Sequence, residues 1–139
     1  MKRFKNILLV AGGEGWEETA LIWAMTIAKN NKAKLKVVEV IEKLPWGTRK
    51  LHKSQLAKLV EKHAPGNPND RIHLLKGSAE ILIPALAKRK RIEFIVMGTV
   101  CRTGIEGLFI GNTAEKVLQQ VDCSVLTVKP DGFVTPVGL

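Results

Sequence analysis

Apolar residues along this chain change rhythm at regular intervals, and the changes predict alternating strands and helices. Ile7-Leu8-Leu9-Val10-Ala11 is an unbroken apolar run closed by Gly12-Gly13. Such a run predicts a strand over Asn6–Ala11 that is buried on both faces, as in a parallel sheet. From Glu17 to Asn30 the spacing turns helical, with Ala20, Leu21, Trp23, Ala24, Ile27 and Ala28 on one wide face. Glu17 and Glu18 in its first turn and Lys29 in its last suit the helix dipole. Leu35 to Ile41 is apolar and β-branched, a second buried strand. Arg49 to His63 reads as a weaker amphipathic helix, with Leu56, Leu59 and Val60 opposite several lysines.

After the Pro-Gly-Asn loop of residues 65–70, Ile72 to Leu75 is a short third strand. Ser78 stands where a side chain caps a helix over Ala79 to Lys90. Pro84 inside that helix removes one backbone bond and predicts a bend. Phe94 to Met97 is a fourth strand ending at Gly98. Thr113 to Val121 is a helix, with Asn112 and Glu115 in a capping-box-like start. Ser124 to Val128 is a fifth strand. Strict alternation predicts an α/β fold, one domain over 1–139: an open, parallel, five-stranded sheet with helices on both faces. Ligands of such sheets bind beyond the carboxyl ends of the strands.

Composition narrows the choices of partner. The 139 residues hold 22 Lys and Arg against 13 Asp and Glu, a net charge of +9. That balance favours polyanionic company without choosing among nucleotides, nucleic acid, acidic lipid or acidic protein. Seven aromatics (four Phe, three Trp) are few for a platform that stacks single strands, so a nucleic-acid partner is not expected. No apolar run approaches the roughly 18 residues of a membrane span, and no leader sequence is expected at the amino terminus. Cys101 and Cys123 make neither a disulfide framework nor a metal site, which fits a reducing cytoplasm. His52 and His63 lie about 16 Å apart along their helix at roughly 1.5 Å per residue, too far to share a metal. No Ser-His-Asp order and no complete phosphate-binding Gly-x4-Gly-Lys loop is present, so no catalytic residue is assigned.

The segment that carries chemistry is residues 96–113. The strand ends at Met97-Gly98; a glycine-bearing loop containing Cys101 and Arg102 follows; the chain re-enters a helix through Gly111-Asn112-Thr113. Glycines let backbone N–H groups approach a ligand, and a helix start offers free donors at the positive end of its dipole. Together they make a phosphate cradle, with Arg102 able to add a charge-assisted bond. The competing reading is that the glycines only shape a long connection.

Gly98-x2-Cys101-x9-Gly111-Asn112 resembles the Gly-x2-Gly-x9-Gly-(Ser/Thr) signature of the universal stress protein family. Three further stretches match in order: the helix-to-strand pattern from Ala20 to Val40, Gly77-x-Ala79-Glu80, and the closing strand from Asp122 to Val128. The ending Lys-Pro-Asp-x-Phe-x-Thr-Pro-Val is most similar to the E-type subgroup, which carries two such domains in tandem. The resemblance implies strand order 3-2-1-4-5, an adenine-nucleotide-hydrolase-like fold, and a homodimer formed through Ser124 to Val128. It also implies ATP as the ligand of those members that bind one. Phosphates would then lie against Gly98, Cys101, Arg102, Gly111, Asn112 and Thr113, and adenine near Val40, with Met97 also among the binding residues. The ribose would lie near Ala11 and Gly12.

Two departures turn the expectation toward a dimeric stress-response binding module with a degenerate site. Cys101 stands at the second glycine of the signature, and Ala11-Gly12-Gly13 stands where nucleotide-binding members carry an aspartate. A protein that holds or slowly hydrolyses ATP is the alternative, and a polyanion binder acting through charge alone is the third.

Overall fold

The computed structural model describes residues 4–11, 18–41, 57–62, 72–98 and 112–128. In chain order these form β1 (Asn6–Ala11), α1 (Glu18–Asn31), β2 (Lys34–Ile41), a helical stretch α2 over 57–62, β3 (Ile72–Lys76), α3 (Ala79–Arg89), β4 (Phe94–Gly98), α4 (Asn112–Gln120) and β5 (Ser124–Val128). The five strands make one parallel sheet in the order β3-β2-β1-β4-β5. This is the architecture that the alternating pattern and the resemblance imply.

β1 lies at the centre, and its unbroken apolar run follows from that place. Ile7, Leu8 and Leu9 are fully buried, because helices cover both faces of a central parallel strand. Ile7, Leu9 and Ala11 face one layer with Val37, Ile72, Val96 and Val128, covered by Ala20, Leu21, Ala24 and Ala28 of α1 and Val60 of α2. Leu8 and Val10 face the other layer with Val38, Ile95 and Met97. That layer is covered by Ala79, Ile83, Leu86 and Ala87 of α3 and Val117 of α4. Small residues on the inner stripes of α1 and α3 let both helices approach the sheet closely. Phe4 packs edge-on against Phe94, with ring centroids 4.8 Å apart, and closes the first layer at the amino end of the strands.

Several details differ from the sequence reading. Ser78 occupies the N-cap of α3, but its side chain makes no capping bond; its carbonyl accepts from the N–H of Leu82 at 2.9 Å instead. Pro84 lies inside α3, and the helix continues through it to Arg89. α1 and α4 each begin one residue away from the expected start, at Glu18 and Asn112. The proposed helix from Arg49 falls within the described residues only at 57–62.

Gly77 holds the corner between β3 and α3 at φ +141°, a conformation that favours glycine. A Cβ there would lie 3.0 Å from Cδ1 of Leu82. Gly77→Ala is therefore expected to lower stability by about 1–2 kcal/mol through backbone strain. Urea unfolding should show the midpoint fall at constant slope.

β5 is the outermost strand of the sheet on its side among the described residues, and its outer side has a definite chemistry. The N–H of Ser124 points inward, donating to the carbonyl of Glu93 at 3.4 Å. N–H direction alternates along a strand, so the N–H groups of Val125 and Thr127 point outward. α4 lies beside α3 on one face of the sheet. Lys116 of α4 reaches toward α3, pairing with Glu80 at 2.8 Å, while Val117 faces the sheet. Leu118, one residue further round the helix, is turned to the β5 side and is 51% exposed.

Candidate functional site

The chain runs from β1 through β2 to β3 on one side, then returns to place β4 on the other side of β1. The carboxyl ends of β1 and β4 thus flank the point where strand order reverses, which is where sheets of this kind bind ligands. Ala11 ends β1 and Gly98 ends β4, with Val10 in register with Met97. Ala11 and Met97 are buried and Gly98 is exposed. α4 belongs to the same end. It stops at Gln120 and β5 begins at Ser124, so the start of α4 lies toward the strand carboxyl ends.

Gly98 is the informative position. An added Cβ would meet nothing closer than the carbonyl oxygen of Val128, its register partner, at 4.0 Å. Among the described residues no side chain crowds that position, which lies beside the switch point. Val40 sits one strand beyond β1, half-buried among the α3-side residues and in register with Leu75. Ala11 faces the α1 side, so Val40 and Ala11 occupy opposite faces of the sheet. The backbones of Asn112 and Thr113 open α4, whose first N–H groups have no partner within the helix. Gly12, Cys101, Arg102 and Gly111 lie outside the described residues.

One residue escaped the sequence reading. Glu39 is 2% exposed and stands directly across from Ala11 in register, on the α1 side of β2. A carboxylate is thus present one strand from the position where nucleotide-binding members keep theirs. The signal was a single charged residue inside Val37-Val38-Glu39-Val40-Ile41, a run otherwise apolar enough to hide it. Burying a carboxylate requires compensation by partners.

Of the remaining candidates, Cys123 and His73 lie among the described residues, and His52 and His63 lie outside them. Burial pushes the Cys123 thiol up from its ordinary range, which keeps it protonated and inert. His73 is half-buried on the α3 side of β3; its imidazole is held below its ordinary range, chiefly by burial. No group of three or more metal-ligating side chains occurs among the described residues. No helix among them is long and apolar enough to cross a membrane.

Comparison with known proteins agrees with this geometry. Universal stress protein E of Escherichia coli K12 is 48% identical over 67 residues, which span 48% of this chain and 21% of that protein. The chain thus matches only about a fifth of the length of that curated relative. A universal stress protein structure from Pseudomonas aeruginosa superposes with a TM-score of 0.73 at 29% identity, covering 94% of this chain and 49% of that one. A universal stress protein crystallised with cAMP superposes with a TM-score of 0.65 at 19% identity, covering 91% of this chain and 98% of that one. That fold is the adenine-nucleotide-hydrolase-like one. Residues 3–129 match the universal stress protein family model, and with the parallel sheet and its strand order this chain belongs to the universal stress protein family.

Proposed function

We propose that this chain is a cytoplasmic stress-response binding module that works as a homodimer rather than as a conventional catalyst. The observation that supports this most is the outermost place of β5 among the described strands, with outward N–H groups at Val125 and Thr127 and exposed Leu118 on α4. Unpaired edges template further strands. Antiparallel pairing of Val125–Val128 with its symmetry mate is self-complementary and covers Leu118 in both copies. Native mass spectrometry tests the reading, with an expected species at twice the 15.3 kDa chain mass. A monomer at micromolar concentration overturns it.

A second reading is favoured by the switch point between the ends of β1 and β4: an adenine nucleotide held at the strand carboxyl ends. Its phosphates would meet the start of α4 at Gly111, Asn112 and Thr113, with Gly98 to Arg102 around them and adenine near Val40. A universal stress protein of the same fold forms a complex with cAMP, which supports a nucleotide as the class of ligand. Ala11 at the end of β1 and Cys101 in the loop weaken it, so the expected dissociation constant for ATP is weaker than micromolar. Gly98→Ala separates site from scaffold. Stability should stay within about 0.5 kcal/mol, because Gly98 is exposed and an added methyl meets no described atom closer than 4.0 Å. Any ATP affinity seen by calorimetry should fall at least tenfold; an unchanged affinity counts against this site.

A further inference from the structure

The fold gathers positive charge that the sequence scatters. Lys32 and Lys34 stand at the α1–β2 corner, residues 88–91 form a basic run at the α3–β4 corner, and Lys5 lies between them at the start of β1. Backbone bonds lock these segments together. Lys34 N–H donates to the carbonyl of Lys5 at 2.9 Å, and Glu93 N–H to the carbonyl of Asn6 at 2.9 Å. Neighbouring strands are about 4.8 Å apart and each covering helix lies roughly 10 Å from the sheet, so the cations share a face of roughly 20 Å. Lys5, Lys32, Lys34, Lys88, Arg89 and Arg91 are all exposed. The carboxylates at this end among the described residues include Asp122, Glu93 and, at the end of α2, Glu61; Glu93 already accepts from the N–H of Lys5 at 2.8 Å.

Two further observations show how closely the charges are held. His73 feels Lys36, Lys90 and Arg89 as repulsive neighbours on top of its burial, and its buried Nε2 has no hydrogen-bond partner. Lys32 and Arg91 have φ of 52° and 53°, left-handed conformations just past the ends of α1 and α3. Glycine or asparagine is the usual occupant there, and another side chain costs roughly 1–2 kcal/mol. Helix dipoles favour cations at the ends of α1 and α3. They do not account for Lys5, Lys34 and Lys36, which sit on strand starts amid like charge.

The make-up of the face selects among polyanions. Membrane-surface binding adds apolar and aromatic side chains that enter the headgroup boundary. Protein interfaces centre on buried aromatic or apolar anchors. The exposed large apolar residues described lie elsewhere: Ile22 and Trp23 along α1, Ile81 at the start of α3, and Leu118 beside β5. Charge without anchors is the requirement for contact with a phosphate backbone. We propose that the amino-terminal end of the sheet binds the phosphate backbone of duplex nucleic acid, through charge and without reading bases. The scarcity of aromatics excludes stacking and leaves this mode untouched. The face lies at the opposite end of the sheet from the nucleotide cleft, so the two readings stand or fall separately.

The test is fluorescence anisotropy with a labelled duplex DNA of about 20 base pairs, across roughly 25 to 200 mM salt. The logarithm of the association constant should fall linearly with the logarithm of salt, with slope about −4 to −5, near 0.9 per phosphate neutralised. The Lys32→Asn/Arg91→Asn double variant should flatten the slope by about 2 and weaken low-salt binding at least tenfold. Its melting temperature should hold, because asparagine tolerates the left-handed conformation. Lys34→Glu, on an exposed strand start, should weaken binding in the same direction. In the unmodified protein, the His73 imidazole followed by NMR should become easier to protonate when duplex is added, since bound phosphates offset the surrounding cations. No binding at the lowest salt overturns the proposal. So does equal binding by the double variant, or tighter binding to phosphatidylserine vesicles than to the duplex.

Discussion

Thr127→Pro is expected to convert the proposed dimer to a monomer while leaving the sheet intact. Proline removes one N–H, and at position 127 that N–H points away from β4 toward the open side. The β4–β5 ladder therefore keeps its bonds, while the strand edge loses a donor and gains a ring that obstructs pairing. Leu126→Pro is the contrast, because its N–H points inward and its loss cuts the ladder itself. Sedimentation or light scattering should show Thr127→Pro as a monomer at concentrations where the parent is dimeric, a weakening of at least a hundredfold. Circular dichroism should match the parent. A dimeric Thr127→Pro protein would rule out pairing through β5.

Leu8→Ala is expected to be the most damaging conservative change in the core. Leu8 is fully buried at the centre of the central strand, in the layer of Val38, Ile83, Ile95 and Met97. Rigid elements surround it on both flanks, so the space left behind closes only partly. The loss should be about 3–4 kcal/mol, combining lost transfer energy with the cavity term. For a domain with some 5–15 kcal/mol in total, that lowers the melting temperature by about 10 °C or more. Ile81→Ala removes a side chain that is 65% exposed and should stay within about 0.5 kcal/mol. A loss below about 1 kcal/mol for Leu8→Ala would mean that the two-layer core is wrongly drawn.

The strands were legible because burial on both faces leaves long apolar runs, and β1 shows this most clearly. The order of strands came from the resemblance, since periodicity says nothing about which neighbour a strand takes. The end of α3 could be read within a residue, because Lys88 and Arg89 suit the last turn. Ser78 was readable as a cap by type but not by bond: a hydroxyl can turn toward the helix or away, and local sequence does not decide it. Glu39 was missed because burial of a charge depends on partners far along the chain. The gathering of cations at one end was missed for a similar reason. Lys5, Lys34 and residues 88–91 are distant in sequence and meet only once the sheet is ordered β3-β2-β1-β4-β5. For the proposed nucleotide site, the glycines and the helix start could be located, while affinity depends on loop backbone that no spacing rule supplies.

The central position of β1 also sets the order in which this molecule can be made. Ile7 pairs with Leu35 on one side and with Phe94 on the other. The first pairing closes a short loop through α1. The second must bring together chain about three times as distant, at an added entropic cost of about 1 kcal/mol. During synthesis, β1, α1 and β2 can therefore associate early, yet one side of β1 stays unpaired until β4 has left the ribosome. Throughout that interval Leu8 and Leu9 border an open strand edge, the arrangement most prone to pairing with a neighbouring nascent chain. Substitutions that slow the docking of β4, such as shortening the buried side chains of Ile95 or Val96, are thus expected to reduce soluble yield more than their equilibrium cost alone accounts for.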